Sequence, residues 1–163
     1  MSFLAMLLVW FALLHLPPLR RLRPLAGRRG KAAFALAFGF LVTGVLHFSD
    51  PGRFLAMMPP WLPWHLELVY LSGILELLGA VGLMLPGTRR LAGFGLAALL
   101  IAIFPANVHV ALSGGTVEGL PEARWYYWLR LPLQIIFIGW ALWCSKTDQQ
   151  GTAAAEPKAR PRT

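Results

Sequence analysis

The chain has 163 residues, of which 57% are hydrophobic and only 13% charged, and its formal net charge is +8. A soluble domain carries about 25% charged residues and a disordered chain is polar, so both classes are excluded. The single cysteine, Cys144, excludes an internal disulfide framework and a cysteine-rich metal site. An all-α integral membrane protein remains.

In chain order, the first apolar run covers residues 2–16 and ends at Pro17 and Pro18. It lacks the basic n-region and small-residue cleavage site of a signal peptide. It is expected to form a short N-terminal hydrophobic helix within residues 1–19 that makes the first of five spans, with an interfacial helix as the alternative. Residues 20–31 hold Arg20, Arg21, Arg23, Arg28, Arg29 and Lys31 and read as a basic loop. Four longer apolar runs follow, at residues 32–48, 66–85, 91–112 and 125–144. Crossing a hydrocarbon core of about 30 Å takes roughly 20 such residues. These runs predict a four-helix transmembrane bundle over residues 32–144. Residues 145–163 are small, polar and basic and are expected to form a flexible tail.

The connections differ in charge. Arg89 and Arg90 separate the second and third of these runs, and Lys146, Lys158, Arg160 and Arg162 lie in the tail. The other two connections, 49–65 and 113–124, contain only Arg53 and Arg124 as basic residues. The positive-inside rule therefore places the amino terminus outside and the carboxyl terminus in the cytoplasm of a bacterial inner membrane. The cytoplasmic side then carries net +10, the outer side net −2, and the membrane interior, with Glu76 and Arg130, none. The overall excess is an orientation signal and no pointer to nucleic acid. Trp61 and Trp64 before the second run, and Trp125, Tyr126, Tyr127 and Trp128 at the start of the fourth, fit the headgroup level. The 49–65 connection has four prolines and cannot be one regular helix. Its Phe54, Met57, Met58 and Trp61 are expected to lie on the membrane surface or cap the bundle.

Ionisable groups inside hydrocarbon are costly, so each is a functional candidate. At 1.5 Å of rise per residue, His47 lies at the outer end of its run and His109 about 5 Å below the outer end. Asn107 and Arg130 lie at roughly 7–8 Å, and Glu76 and Gln134 at roughly 14–15 Å. The six form a ladder open to the outer face. Arg130 and Gln134 are four residues apart and share a helix face, as do Ser72, Glu76 and Gly79. Asn107 and His109, two residues apart, cannot both aim at one point. Pro105 and Pro132 deprive the carbonyls of Ile101 and Trp128 of their helical donors, and Asn107, Arg130 and Gln134 are available as partners. Glu76 has two readings. It carries a proton or anchors a ligand's polar head, or it pairs with Arg130 or, when protonated, with Gln134. His47 and His109 read as interfacial imidazoles bonded to backbone or water. Two histidines on different helices, without a third ligand, are a poor basis for haem or a metal site.

The stretch G-x-L-H-F at 44–48, S-G-I-L-E-L-L-G-A-V-G-L-M-L-P-G-T-R-R at 72–90, F-P-A-N-V-H-V-A-L at 104–112 and R-L-P-L-Q at 130–134 resembles the DoxX family of small bacterial membrane proteins. The resemblance covers roughly residues 32–144 and implies a four-helix membrane bundle. It further implies a link to quinone-dependent oxidation and to redox or stress complexes. Glu76, Asn107, Arg130 and Gln134 are the positions it carries over.

The leading expectation is a multi-pass membrane subunit or partner of a redox or stress-response system. Its outer-facing polar pocket would bind a small amphipathic molecule such as a quinone through Glu76, Asn107, His109, Arg130, Gln134 and His47. No complete catalytic constellation is present, which points to an auxiliary role. The alternatives are a structural or chaperone-like membrane protein without a ligand, and a small-solute transporter. The short helices without inverted repeats speak against the transporter.

Overall fold

The computed structural model describes residues 27–114, 117, 118 and 120–146. The expected N-terminal helix, most of the basic loop and nearly all of the tail lie outside the described residues. Among the described residues all regular structure is helical. The helices are α1 (Gly27–Ser49), α2 (Pro51–Leu55), α3 (His65–Met84), α4 (Arg89–Ser113) and α5 (Arg124–Cys144). Four of them, all but α2, are long and apolar enough to cross a membrane.

These four fall on the four predicted apolar runs, with one clear difference. α1 begins at Gly27, so Arg28, Arg29 and Lys31, expected in a loop, belong to its first turns. The extension lengthens a run of marginal span to 23 residues, roughly 34 Å at 1.5 Å per residue. Long basic side chains permit this, because their stems lie along apolar surface while their heads stay wet. α3 stops at Met84 before the Leu85-Pro86-Gly87 break. Its last carbonyls find side-chain donors: Thr88 Oγ1 bonds the carbonyl of Gly82 at 2.9 Å and Arg89 Nε that of Leu83 at 3.0 Å.

The helices pack as two pairs, α1 on α3 and α4 on α5, joined mainly through α3 and α4. Small residues set the spacing, as expected where lipid supplies no hydrophobic drive for helix association. A Cβ on Gly73 would sit 2.6 Å from the Cβ of His47, and one on Gly93 would sit 2.7 Å from the carbonyl oxygen of Ala141. Outward-facing side chains such as Leu71, Leu78, Ile101, Ile135 and Ile136 are large and exposed, which is the arrangement of a lipid-facing surface.

The core is divided. A larger apolar cluster contains Leu36, Phe40, Leu83, Leu96, Leu100, Phe137 and Cys144. A smaller one contains Met57, Val110, Ala111, Val117 and Tyr127, with Phe54 and Leu131 against it. The second is closed by the Val117 backbone N–H, which donates to the Tyr127 hydroxyl at 3.0 Å. Along each long helix, the polar residues of the interior fall between or beside the positions that feed these clusters. The ends of the bundle also differ. Arg28, Arg29, Lys31, Arg89, Arg90 and Lys146 lie at one end, where the described residues include no acid. Asp50, Glu67, Glu118 and Glu122 lie at the other.

Candidate functional site

Five of the six candidate residues separate into three groups, and His109 stands apart. The first lies between α1 and α3. Glu76 is only 4% exposed, and its Oε2 accepts a hydrogen bond from the Thr43 hydroxyl at 2.5 Å. The same oxygen lies 3.7 Å from Nδ1 of His47, which is bonded at 2.8 Å to the carbonyl of Thr43. The short helix α2 covers this group, since the Phe54 ring stacks on the His47 imidazole with centroids 3.7 Å apart. Gly73 and Gly44 make the cluster geometrically attainable. A Cβ on Gly44 would meet Leu77 at 2.8 Å and the Gly73 carbonyl at 3.2 Å, so bulkier residues would hold the helices too far apart for these bonds.

Thr43 is the member that the sequence reading missed. Its signal in the sequence is slight: it stands four residues before His47, so the two share a face of α1 one turn apart. Its hydroxyl has one hydrogen and three acceptors in reach. These are Glu76 Oε2 and the carbonyls of Gly39 at 3.2 Å and Phe40 at 3.4 Å. One hydrogen cannot serve all of them. If Glu76 is a carboxylate, Thr43 donates to it. If Glu76 is protonated, the carboxyl donates to Thr43, whose own hydrogen turns to the helix carbonyl. The cluster therefore has two bonded states that need no movement of a heavy atom.

The second group lies between α4 and α5. Asn107 Nδ2 donates to Gln134 Oε1 at 2.8 Å, and Gln134 Nε2 donates to the carbonyl of Leu100 at 2.7 Å. The freed carbonyls of Ile101 and Trp128 were expected to draw partners from Asn107, Arg130 and Gln134, but Gln134 bonds a different carbonyl. The carbonyl it takes belongs to Leu100, one residue before Ile101. The third group is Arg130, which reaches neither Glu76 nor Gln134. Its Nη1 contacts the sulfur of Met57 at 3.3 Å, and its guanidinium stands 6.0 Å from the centre of the Tyr126 ring. The expected partners of Glu76, Arg130 and Gln134, are thus engaged elsewhere, because they belong to the other helix pair. His109 is half-buried and joins none of these groups. His47 is bonded to backbone as expected, and it is buried beneath Phe54.

An open pocket at these residues was expected. Two concavities among the described residues lie elsewhere. One, of about 380 Å³, is lined by Ala32, Ile136, Gly139, Trp140 and Trp143, and the other, of about 330 Å³, by Leu41, Val42, Val45 and Leu46. The ionisable cluster is closed by its own contacts. Any ligand would have to exchange with them.

A family model described as a domain of unknown function (DUF8561) matches residues 36–145, and the chain belongs to that family. The match runs from the tenth residue of α1 to just past the end of α5 and includes all six candidate residues and Thr43. No curated protein and no solved structure matches the chain.

Proposed function

We propose that this DUF8561 protein is a multi-pass membrane subunit that binds a small amphipathic molecule, of the quinone class, at the Thr43–His47–Glu76 cluster. The observation that carries the reading is an ionisable carboxyl held in the bundle interior between α1 and α3. It has a hydroxyl and an imidazole as neighbours and one short helix as its cover. Such a group offers a ligand head both a hydrogen-bond donor and an acceptor once the ligand exchanges with the contacts that close the cluster. The likeness to DoxX proteins supports the same class and a role beside a redox or stress-response enzyme.

The test is organic extraction of the full-length protein purified from its membrane, followed by mass spectrometry of the extract. A quinone is expected with the wild type and at least tenfold less with Glu76→Gln at equal thermal stability. Equal amounts in both, or none in either, overturn the reading. In the latter case a structural, ligand-free role is favoured. The specific observation behind that second reading is the Asn107–Gln134–Leu100 chain, whose bonds are all internal.

The basic end is assigned to the cytoplasmic side of a bacterial plasma membrane, on the positive-inside rule. Gly52 and Gly87 lie toward opposite ends of the bundle, and a side chain at either would meet nothing within 4 Å. Gly52→Cys is expected to react with a membrane-impermeant thiol reagent in intact spheroplasts. Gly87→Cys is expected to react only after lysis. The reverse pattern inverts the assignment.

A further inference from the structure

The groove between α1 and α5 lies outside the candidate site, and its chemistry differs from one end to the other. Ile136, Gly139, Trp140 and Trp143 recur at helical spacing, so they form one strip of α5 about 10 Å long, with Ala32 of α1 opposite. Gly139 leaves the strip open: a Cβ there would meet nothing within 4 Å. The strip is apolar along its length and ends at the basic end of the bundle. There the guanidinium of Arg29 stands 5.8 Å from the centre of the Trp143 ring. A guanidinium can rest on a ring with its face and still donate hydrogen bonds from its edge, in the fork geometry that phosphate oxygens accept. Arg28 and Lys31 are on the same turns of α1, Lys146 follows α5, and the described residues at this end include no acid. The second groove, lined by Leu41, Val42, Val45 and Leu46, has similar volume and no charged residue. It is an internal control for apolar shape alone.

We propose that the α1–α5 groove is a binding site for an anionic phospholipid. One acyl chain lies along Ile136, Gly139 and Trp140, and the phosphate sits beside Arg29. Charge complementarity selects this occupant over a zwitterionic lipid, and basic residues at a bilayer surface attract anionic lipid in this way. The site is independent of whatever binds at Glu76.

The test is native mass spectrometry of the detergent-purified full chain, titrated in parallel with phosphatidylglycerol and phosphatidylcholine. The wild type is expected to retain phosphatidylglycerol about fivefold or more over phosphatidylcholine, the factor that one cation near the surface supplies. Arg29→Gln is expected to remove that preference. Gly139→Leu, which fills the strip, is expected to reduce phosphatidylglycerol retention by about the same factor with helical circular dichroism intact. Val45→Trp, in the other groove, is expected to leave it unchanged. Equal retention of both lipids by the wild type overturns the proposal, and so does an unaltered preference in Arg29→Gln. Selective loss with Val45→Trp would move the site to the other groove and overturn it too.

Discussion

The α1–α3 and α4–α5 seams both bury polar groups between closely approaching helices, but the groups behave differently. Between α4 and α5 they are two side-chain amides and one backbone carbonyl, with each donor matched to an acceptor. An amide does not titrate, so this seam has a single bonded arrangement. Between α1 and α3 they are a hydroxyl, an imidazole and a carboxyl, and the single hydroxyl hydrogen has a choice of acceptors. That seam has two arrangements related by a proton. Burial of polar groups in a membrane bundle is therefore not one phenomenon. Neutral pairs fasten helices, whereas an ionisable set keeps alternatives that differ by the place of one proton.

The comparison breaks most visibly at its glycines. Gly73→Ala is expected to destabilise the protein by about 1–3 kcal/mol, since the new methyl meets a Cβ fixed to the backbone of α1 at 2.6 Å. Gly95→Ala, on α4 where a Cβ meets nothing within 4 Å, is expected to be neutral or stabilising by up to about 1 kcal/mol. Thermal unfolding in detergent measures both, and equal losses would show that helix spacing is not set at Gly73.

A smaller effect tests the neutral seam. Gln134→Leu leaves the Asn107 amide and the Leu100 carbonyl without their partner, at a cost of about 1–2 kcal/mol in a membrane interior. Asn107→Leu in the same background should cost less than it does alone, because the bond it would break is already gone. Strict additivity in that cycle would mean that the two amides do not act as a pair.

The smallest change in stability is expected on the ionisable seam. In Glu76→Gln an amide oxygen still accepts from Thr43, so unfolding should shift by less than about 1 kcal/mol while quinone retention falls. A large loss of stability with unchanged retention would place Glu76 in the same fastening role as Gln134. Stability and binding should thus part company on one seam only.

The positions of the four long helices were legible in the sequence because hydrocarbon demands long apolar runs with internally bonded backbones. The polar candidates were legible for the same reason, since Glu76, Gln134, Asn107 and Arg130 interrupt those runs. Their partners were not. Depth along a helix follows from counting residues, but partnership also depends on which helices pair and how each is rotated. Thr43 shows the limit: a single hydroxyl in an apolar run carries little signal until α3 brings Glu76 to it. Arg130 shows the converse, since its charge made it the natural partner of Glu76 until α5 directed it to Met57 and Tyr126.

The sequence by itself determined a helical chain, the places of the four segments long and apolar enough to cross a membrane, and the uneven charge of its two ends. Each of these is a one-dimensional property, set by hydropathy and by the order of residues along the chain. Only the tertiary structure decided that the buried polar residues form separate groups. The glycine contacts between α1 and α3 and between α4 and α5 choose the neighbours, and a hydrogen bond of under 3 Å tolerates no other choice.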